Sequence, residues 1–250
     1  MSIMSRLAPL DEEWVPDACP PSCPRRVALP ALQSEAADLR GLEYVVVDVE
    51  TTGGSAAGGD RITEFAAMRI AYDGTVLEEM STLINPERPI PAFISGLTNI
   101  SWDMVRDAPP FREIAVDVER MLCGRVFVAH NASFDWRFVT HEIERADAIV
   151  PPTRVLCTVR LARKVLPEVS SRSLDALTYY FGLENDARHR AYGDARVTVD
   201  ILGRVLRRVD EREIGSWQAL EELMGRRKPR RRRGRHATPT SMDPSEIPPQ

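Results

Sequence analysis

Asp48 and Glu50 close an otherwise apolar run, VVVDVETTGG (45–54), with one valine between them. Period 2 along a strand sends both side chains to the same side. Open α/β sheets place ligand sites at the carboxyl ends of their strands, and two carboxylates there are costly unless a cation lies between them. Two more acids stand where a hydrophobe would be expected. Asp135 begins a helix-like segment whose apolar face is marked by Phe138 and Val139. Asp194 precedes Val197 and Ile201 by three and seven residues and so shares their stripe.

Taken singly, each acid has a plain reading: a loop-end pair for Asp48 and Glu50, a helix-start charge for Asp135, an arginine partner for Asp194. Taken together, the four are hard oxygen ligands converging on divalent metal. Mg²⁺ takes few carboxylates and keeps positions for water and phosphate oxygens. Two such ions roughly 3.5–4 Å apart can stabilise the attacking and leaving oxygens of a phosphodiester. His189, five residues before Asp194 in HRAYGD, completes the set. It is either a surface-loop histidine or a base able to take a proton from water near neutral pH. His130 ends a strand and His141 lies within a helix, so both read as structural, and His236 belongs to the basic tail.

The elements that must position these residues follow from periodicity. YVVVDV (44–49) is β-branched and apolar on both faces, as in a sheet centre. Residues 61–72 and 75–84 read as strands joined at Asp73-Gly74, a good hairpin signal. Short helices are expected around residues 94–105, and Phe111, Ile114, Ala115, Val118, Met121 and Leu122 follow helical spacing. A strand at 126–130, a helix at 133–146, a strand at 153–158 and helices at 158–166, 173–181 and 192–208 complete the pattern. A strand meander followed by strand–helix alternation fits one α/β domain with a mixed sheet.

Outside this body, residues 1–40 are proline-rich and read as a mobile arm. Residues 211–250 read as a short helix at 218–223 and then a basic tail, RRKPRRRRGR (226–235). From residue 226 onward there are eight Lys or Arg against two acids, which leaves 25 against 35 for the first 225 residues. The body is acidic, so charge alone does not make it a nucleic-acid binder. The tail is either a non-specific phosphate-binding arm or a solubilising terminus. No apolar run approaches the roughly 20 residues of a membrane helix, and the N-terminus lacks the pattern of a signal peptide. A cytoplasmic location is expected. Four cysteines in that setting do not read as a disulfide framework. Cys19 and Cys23 (CPPSC) lack the second close pair that a zinc site requires.

DVETTG (48–53), HNASFD (130–135) and HRAYGD (189–194) resemble the three motifs of the DEDDh 3′–5′ exonuclease family, which includes the proofreading epsilon subunit of bacterial DNA polymerase III and the PolC-type exonuclease domain. The resemblance covers about 41–210 and includes ISGLTNIS, LAR (161–163) and SLDAL (173–177). It implies an RNase H-like fold, a five-stranded mixed sheet with helices on both faces. It implies two Mg²⁺ or Mn²⁺ ions held by Asp48, Glu50, Asp135 and Asp194, with His189 as general base. Thr51 and Thr52 would lie beside the terminal nucleotide and contact its 3′-OH. Asn131 and Phe134 would shape the pocket. The substrate implied is a single-stranded or frayed DNA 3′ end, with a polymerase, if any, supplied as a separate polypeptide. Two alternatives remain: a free-standing exonuclease that trims RNA or other ends, and a catalytically idle nucleic-acid-binding module.

Overall fold

The structure, a computed structural model, describes residues 34–151, 153–185 and 187–225. Residues 1–33 of the expected arm (1–40) and the basic tail (226–250), with Cys19, Cys23 and His236, lie outside the described residues. The chain runs β1 (Tyr44–Thr51), β2 (Ile62–Ile70), β3 (Val76–Leu83), α1 (Ala92–Thr98), α2 (Trp102–Val105) and α3 (Phe111–Leu122). It continues through β4 (Val126–Ala129), α4 (Ala132–Arg145), β5 (Arg154–Cys157), α5 (Thr158–Val165), α6 (Leu174–Phe181), α7 (Ala191–Asp210) and α8 (Trp217–Met224). Each element anticipated from periodicity is present, with ends shifted by one or two residues.

The sheet order is β3-β2-β1-β4-β5. β1–β2 and β2–β3 are antiparallel, while β1–β4 and β4–β5 are parallel. A tight turn can join only antiparallel strands, so the parallel pairs need helical crossovers. At the β2–β3 turn Gly74 adopts φ +90° and the Asp73 carboxylate accepts the Thr75 amide. β1 is central, and its alternate valines feed two cores. Tyr44 and Val46 pack with Met68, Val128 and the helices α5 to α8, through Leu161, Leu177, Leu202 and Leu220. Val45, Val47 and Val49 face Phe65, Phe127 and the helices α3 and α4. Helices therefore cover both faces, as the RNase H-like expectation requires.

The folded body reaches past 41–210 on both sides. Leu39 is fully buried and its amide donates to Gly215 O at 2.9 Å, while the Trp217 amide donates to Ala37 O at 2.9 Å. Trp217 and Leu220 of α8 belong to the α7-side core. Cys157 is a free thiol, whereas Cys123 is buried and disulfide-bonded, a bridge that the sequence reading did not anticipate. Among the described residues no helix is long and apolar enough to cross a membrane.

Candidate active site

Asp48 and Glu50 continue the row of Tyr44 and Val46, so they emerge on the face covered by α7. In the β1–β2 register Asp48 lies opposite Ala66 and Glu50 opposite Glu64, and the ladder is irregular just after Glu50. On the other flank β4 pairs with β1 only from Tyr44 to Val46. Beyond that ladder the Val49 backbone lies close enough to the Asp135 carboxyl to lower its pKa. Asp135 is in the first turn of α4, which covers the opposite face, and is 4% exposed.

Asp194 is in the first turn of α7 and is 5% exposed. It accepts from Asn185 Nδ2 at 2.6 Å, the His189 amide at 3.2 Å and Arg188 Nη1 at 3.4 Å. His189 is half-buried with φ +58°, a left-handed conformation uncommon outside glycine. Glu50, His189 and Asp194 each offer a ligand atom, and these atoms lie within 4.8 Å of one another.

Crowding of like charges in a dehydrated setting pushes these carboxyls towards their neutral forms. Burial, then the Asp135, Asp194, Glu50 and Glu64 carboxylates, raise Asp48 well above the ordinary range. Burial and the Asp194, Glu64 and Asp135 charges raise Glu50 to about 8, against the pull of Arg188. Burial raises Asp135 to about 7 despite the Val49 amide. Asp194 is also raised by burial, with Asn185, Arg188 and the His189 amide opposing. The cluster therefore carries more negative charge than its protein partners offset. Four buried or half-buried carboxylates with hard oxygen donors fit a divalent cation of the Mg²⁺ type, and the family is divalent-metal dependent.

The other expected residues are distributed less evenly. Thr51 and Thr52 are both buried. Thr51 donates its hydroxyl to Gly53 O at 2.6 Å. Thr52 donates its amide to Arg61 O at 2.8 Å, and its hydroxyl bonds Asp60 and accepts the Arg61 amide at 3.0 Å. The Thr52 amide and hydroxyl are thus both engaged in closing the 53–60 loop. Asn131 is exposed at the start of α4, and Phe134 packs on Phe138 with ring centroids 4.9 Å apart. His130 bonds Thr158 Oγ1 at 2.9 Å and Arg172 O at 3.0 Å, and burial lowers its pKa. His141 bonds Arg137 O at 2.9 Å within its own helix. Both imidazoles are held by protein atoms.

Sequence reasoning missed Glu64, Arg190, Asn185 and Gly193. A lone acid inside ITEFAAM, otherwise a buried strand, was the available signal for Glu64. Asn185 and Gly193 carried none, because their roles come from tertiary approach.

The parallel core of this mixed sheet, with acids at the end of its central strand and on helices from both faces, defines an RNase H-like nuclease architecture. The chain belongs to the RNase_T exonuclease family, whose match spans residues 45–202. It is 41% identical over 180 residues to the 3′-5′ exonuclease DinG of Bacillus subtilis, covering 72% of this chain and 19% of that protein. It is 36% identical over 182 residues to the PolC-type DNA polymerase III of Oceanobacillus iheyensis, covering 73% and 13%. The chain therefore spans less than a fifth of the length of these two relatives. Among solved structures it is similar to Exonuclease X in complex with 5′ overhanging duplex DNA, at 26% identity and a TM-score of 0.57, covering 73% of this chain and 99% of that one.

Proposed function

We propose that this protein is a metal-dependent 3′–5′ exonuclease that removes nucleotides from single-stranded or mismatched DNA ends. The observation that carries this reading is the meeting of Asp48, Glu50, Asp135 and Asp194 beside His189 at the end of β1. Similarity to a 3′-5′ exonuclease and to a PolC-type polymerase supports the reaction direction and the choice of DNA.

Asp48, Glu50, Asp135 and Asp194 would hold two Mg²⁺ or Mn²⁺ ions. When bound, such ions supply positive charge to the phosphate oxygens and ease the entry and departure of oxygen at phosphorus. His189 takes a proton from the attacking water as its oxygen bonds to the terminal phosphorus. The P–O3′ bond breaks, the departing O3′ takes a proton from water, and the products are a nucleoside 5′-monophosphate and a strand shortened by one. Asn131 and Phe134, at the start of α4, line the approach to the terminal nucleotide, and Thr51 sits at its base. Hydrolysis of one strand end requires a frayed terminus, so a mismatched end is cut faster than a paired one. A polymerase subunit binding in trans would make this activity proofreading, in the cytoplasm.

The test is digestion of 5′-labelled single-stranded DNA, mismatched and paired duplexes, and RNA, each with Mg²⁺, Mn²⁺ or chelator, with Asp194→Ala as control. A metal-dependent ladder on DNA from the 3′ end, absent in the variant, supports the proposal. Faster degradation of RNA would replace DNA as the substrate. Binding without cleavage under every metal would make the domain a binding module.

A further inference from the structure

Glu64 is a fifth carboxylate at the cluster that the four-acid reading does not use. It is 4% exposed and lies opposite Glu50 across the β1–β2 pair. Both its oxygens are committed. Oε1 accepts Arg190 Nη2 at 2.7 Å and Nε at 3.2 Å, while Oε2 accepts Arg190 Nε at 3.0 Å and the Ala191 amide at 2.9 Å. Arg190 directly follows His189, and Ala191 opens α7.

We propose that the Glu64–Arg190 pair is a positioning device for His189, linking the histidine loop to the sheet that carries Glu50 so that the imidazole stays over the carboxylate cluster. This rests on the reading of His189 as the base.

Several contacts hold the loop: Arg188 pairs with Asp175 of α6 and reaches Asp194, and Asn185 also donates to Asp194. The His189 amide donates to Asp194, and Gly193 lets the Ala187 backbone lie close against the first turn of α7, where a Cβ would come within 2.5 Å of Ala187 O. Those anchors lie on α6 and α7 and cannot set the distance from α7 to β1. Glu64 can, because β2 is bonded residue by residue to β1. A backbone held at φ +58° in a non-glycine residue persists only where its surroundings over-determine it, and a bidentate guanidinium–carboxylate pair fixes angle as well as distance.

A simple tether of α7 to the sheet is the competing role. α7 already buries Ala195, Val199, Ile201 and Leu202 in the sheet-side core. Apolar residues would hold a helix there without dehydrating a charge pair, so the ion pair calls for a geometric reason. Nor does Glu64 present a free oxygen to a cation, unlike Glu50.

The experiment is a double-mutant cycle in the full chain: Glu64→Gln, His189→Ala and both together, with Arg190→Gln as a second probe of the pair. Turnover on 5′-labelled single-stranded DNA is read with kcat and KM separated, alongside calorimetric Mn²⁺ binding and thermal midpoints. Glu64→Gln is expected to lower kcat about 10- to 100-fold, the scale of a misplaced catalytic group, with KM and Mn²⁺ affinity changed by less than about threefold. In the His189→Ala background the same substitution should cost less than about twofold, because interacting residues are non-additive. An equal cost in both backgrounds would mean a tether, and lost Mn²⁺ binding would mean a metal ligand; either overturns the inference. If Glu64→Gln does not fold, Arg190→Gln runs the same cycle. A wild-type chain that cuts no substrate would overturn the proposed function as well, whereas an active wild type with additive penalties overturns this inference alone.

Discussion

Glu50 and Glu64 stand directly opposite each other in adjacent antiparallel strands, yet only Glu64 is met by a guanidinium. Among the described residues Glu50 forms no ion pair, although Arg188 lies close enough to lower its pKa in part. The sheet thus sets a neutralised acid beside an unneutralised one. That asymmetry separates the acid that holds structure from the acid left for a cation.

Replacing the unneutralised acid should move activity and stability in opposite directions. Glu50→Gln removes a donor and is expected to lower turnover on single-stranded DNA by at least about 100-fold, the scale of removing one transition-state electrostatic group. The same change relieves repulsion in the metal-free protein. At pH 9, above the Glu50 value of about 8, it should raise unfolding free energy by at least about 1 kcal/mol, since one pKa unit is worth about 1.36 kcal/mol. Urea denaturation in chelator checks the second half. A variant less stable than wild type at pH 9 would contradict the reading of Glu50 as a strained acid.

Metal-free stability should fall as pH rises through neutrality. Glu50 and Asp135 titrate near 8 and 7 in the folded protein, against ordinary values of 4.5 and 3.8. Between those limits the folded state binds more protons than the unfolded one, so unfolding free energy declines with pH. The stability that these protons contribute is fully present below about pH 4 and is lost by about pH 8. Thermal midpoints in chelator are expected to drop steadily from pH 5.5 to 8.5. Added Mn²⁺ should reverse the drop, because a ligand of the folded state alone stabilises by mass action. Calorimetry at pH 6.5 in buffers of different ionisation heat should detect proton release on binding. A flat pH profile without metal would mean that the carboxylates are already compensated.

Much of this arrangement was legible in the chain, for physical reasons that also explain the rest. Asp48, Glu50 and Asp194 announce themselves because strand and helix periods assign them to apolar faces. Asp135 does so because Phe138 and Val139 follow it. Thr52 was less legible: a loop that returns at Asp60 and Arg61 takes up its amide and hydroxyl. No period reports such a closure. Residues 34–41 carry no periodicity at all, yet Leu39 is buried because α8 folds back over it.

Glu142 and Arg61 provide a test of the scaffold away from the acids. Glu142 is 2% exposed and receives Arg61 Nε at 2.7 Å and Nη2 at 2.9 Å, which ties α4 to the strand that returns from the 53–60 loop. Removing one partner of a buried pair strands the other charge. Arg61 retains Glu87 at 3.4 Å and some solvent, so Glu142→Gln should cost about 2–3 kcal/mol, below the 3–5 kcal/mol of a fully buried pair. Urea denaturation at neutral pH with Mg²⁺ measures it. A loss under about 0.5 kcal/mol would show that this contact is no more than a surface ion pair.

Gly193 and Gly203 lie ten residues apart in α7 and should respond oppositely to alanine. Helix propensity alone favours alanine at each by up to about 1 kcal/mol. At Gly203 an added Cβ meets nothing within 4 Å, so Gly203→Ala should stabilise the protein and leave turnover unchanged. At Gly193 it would lie 2.5 Å from Ala187 O, 2.8 Å from Ala187 Cβ and 3.0 Å from the Ala187 carbonyl carbon. Those are mainly backbone atoms of the loop that leads into His189, and they can yield only if the loop lifts. Gly193→Ala should therefore lower kcat by about 100-fold, the scale of a misplacement near 1 Å, while the propensity gain offsets much of the strain in the thermal midpoint. Parallel kcat and melting measurements on the two variants decide the matter. If both alanines leave turnover intact, the close approach at Gly193 does not position the histidine.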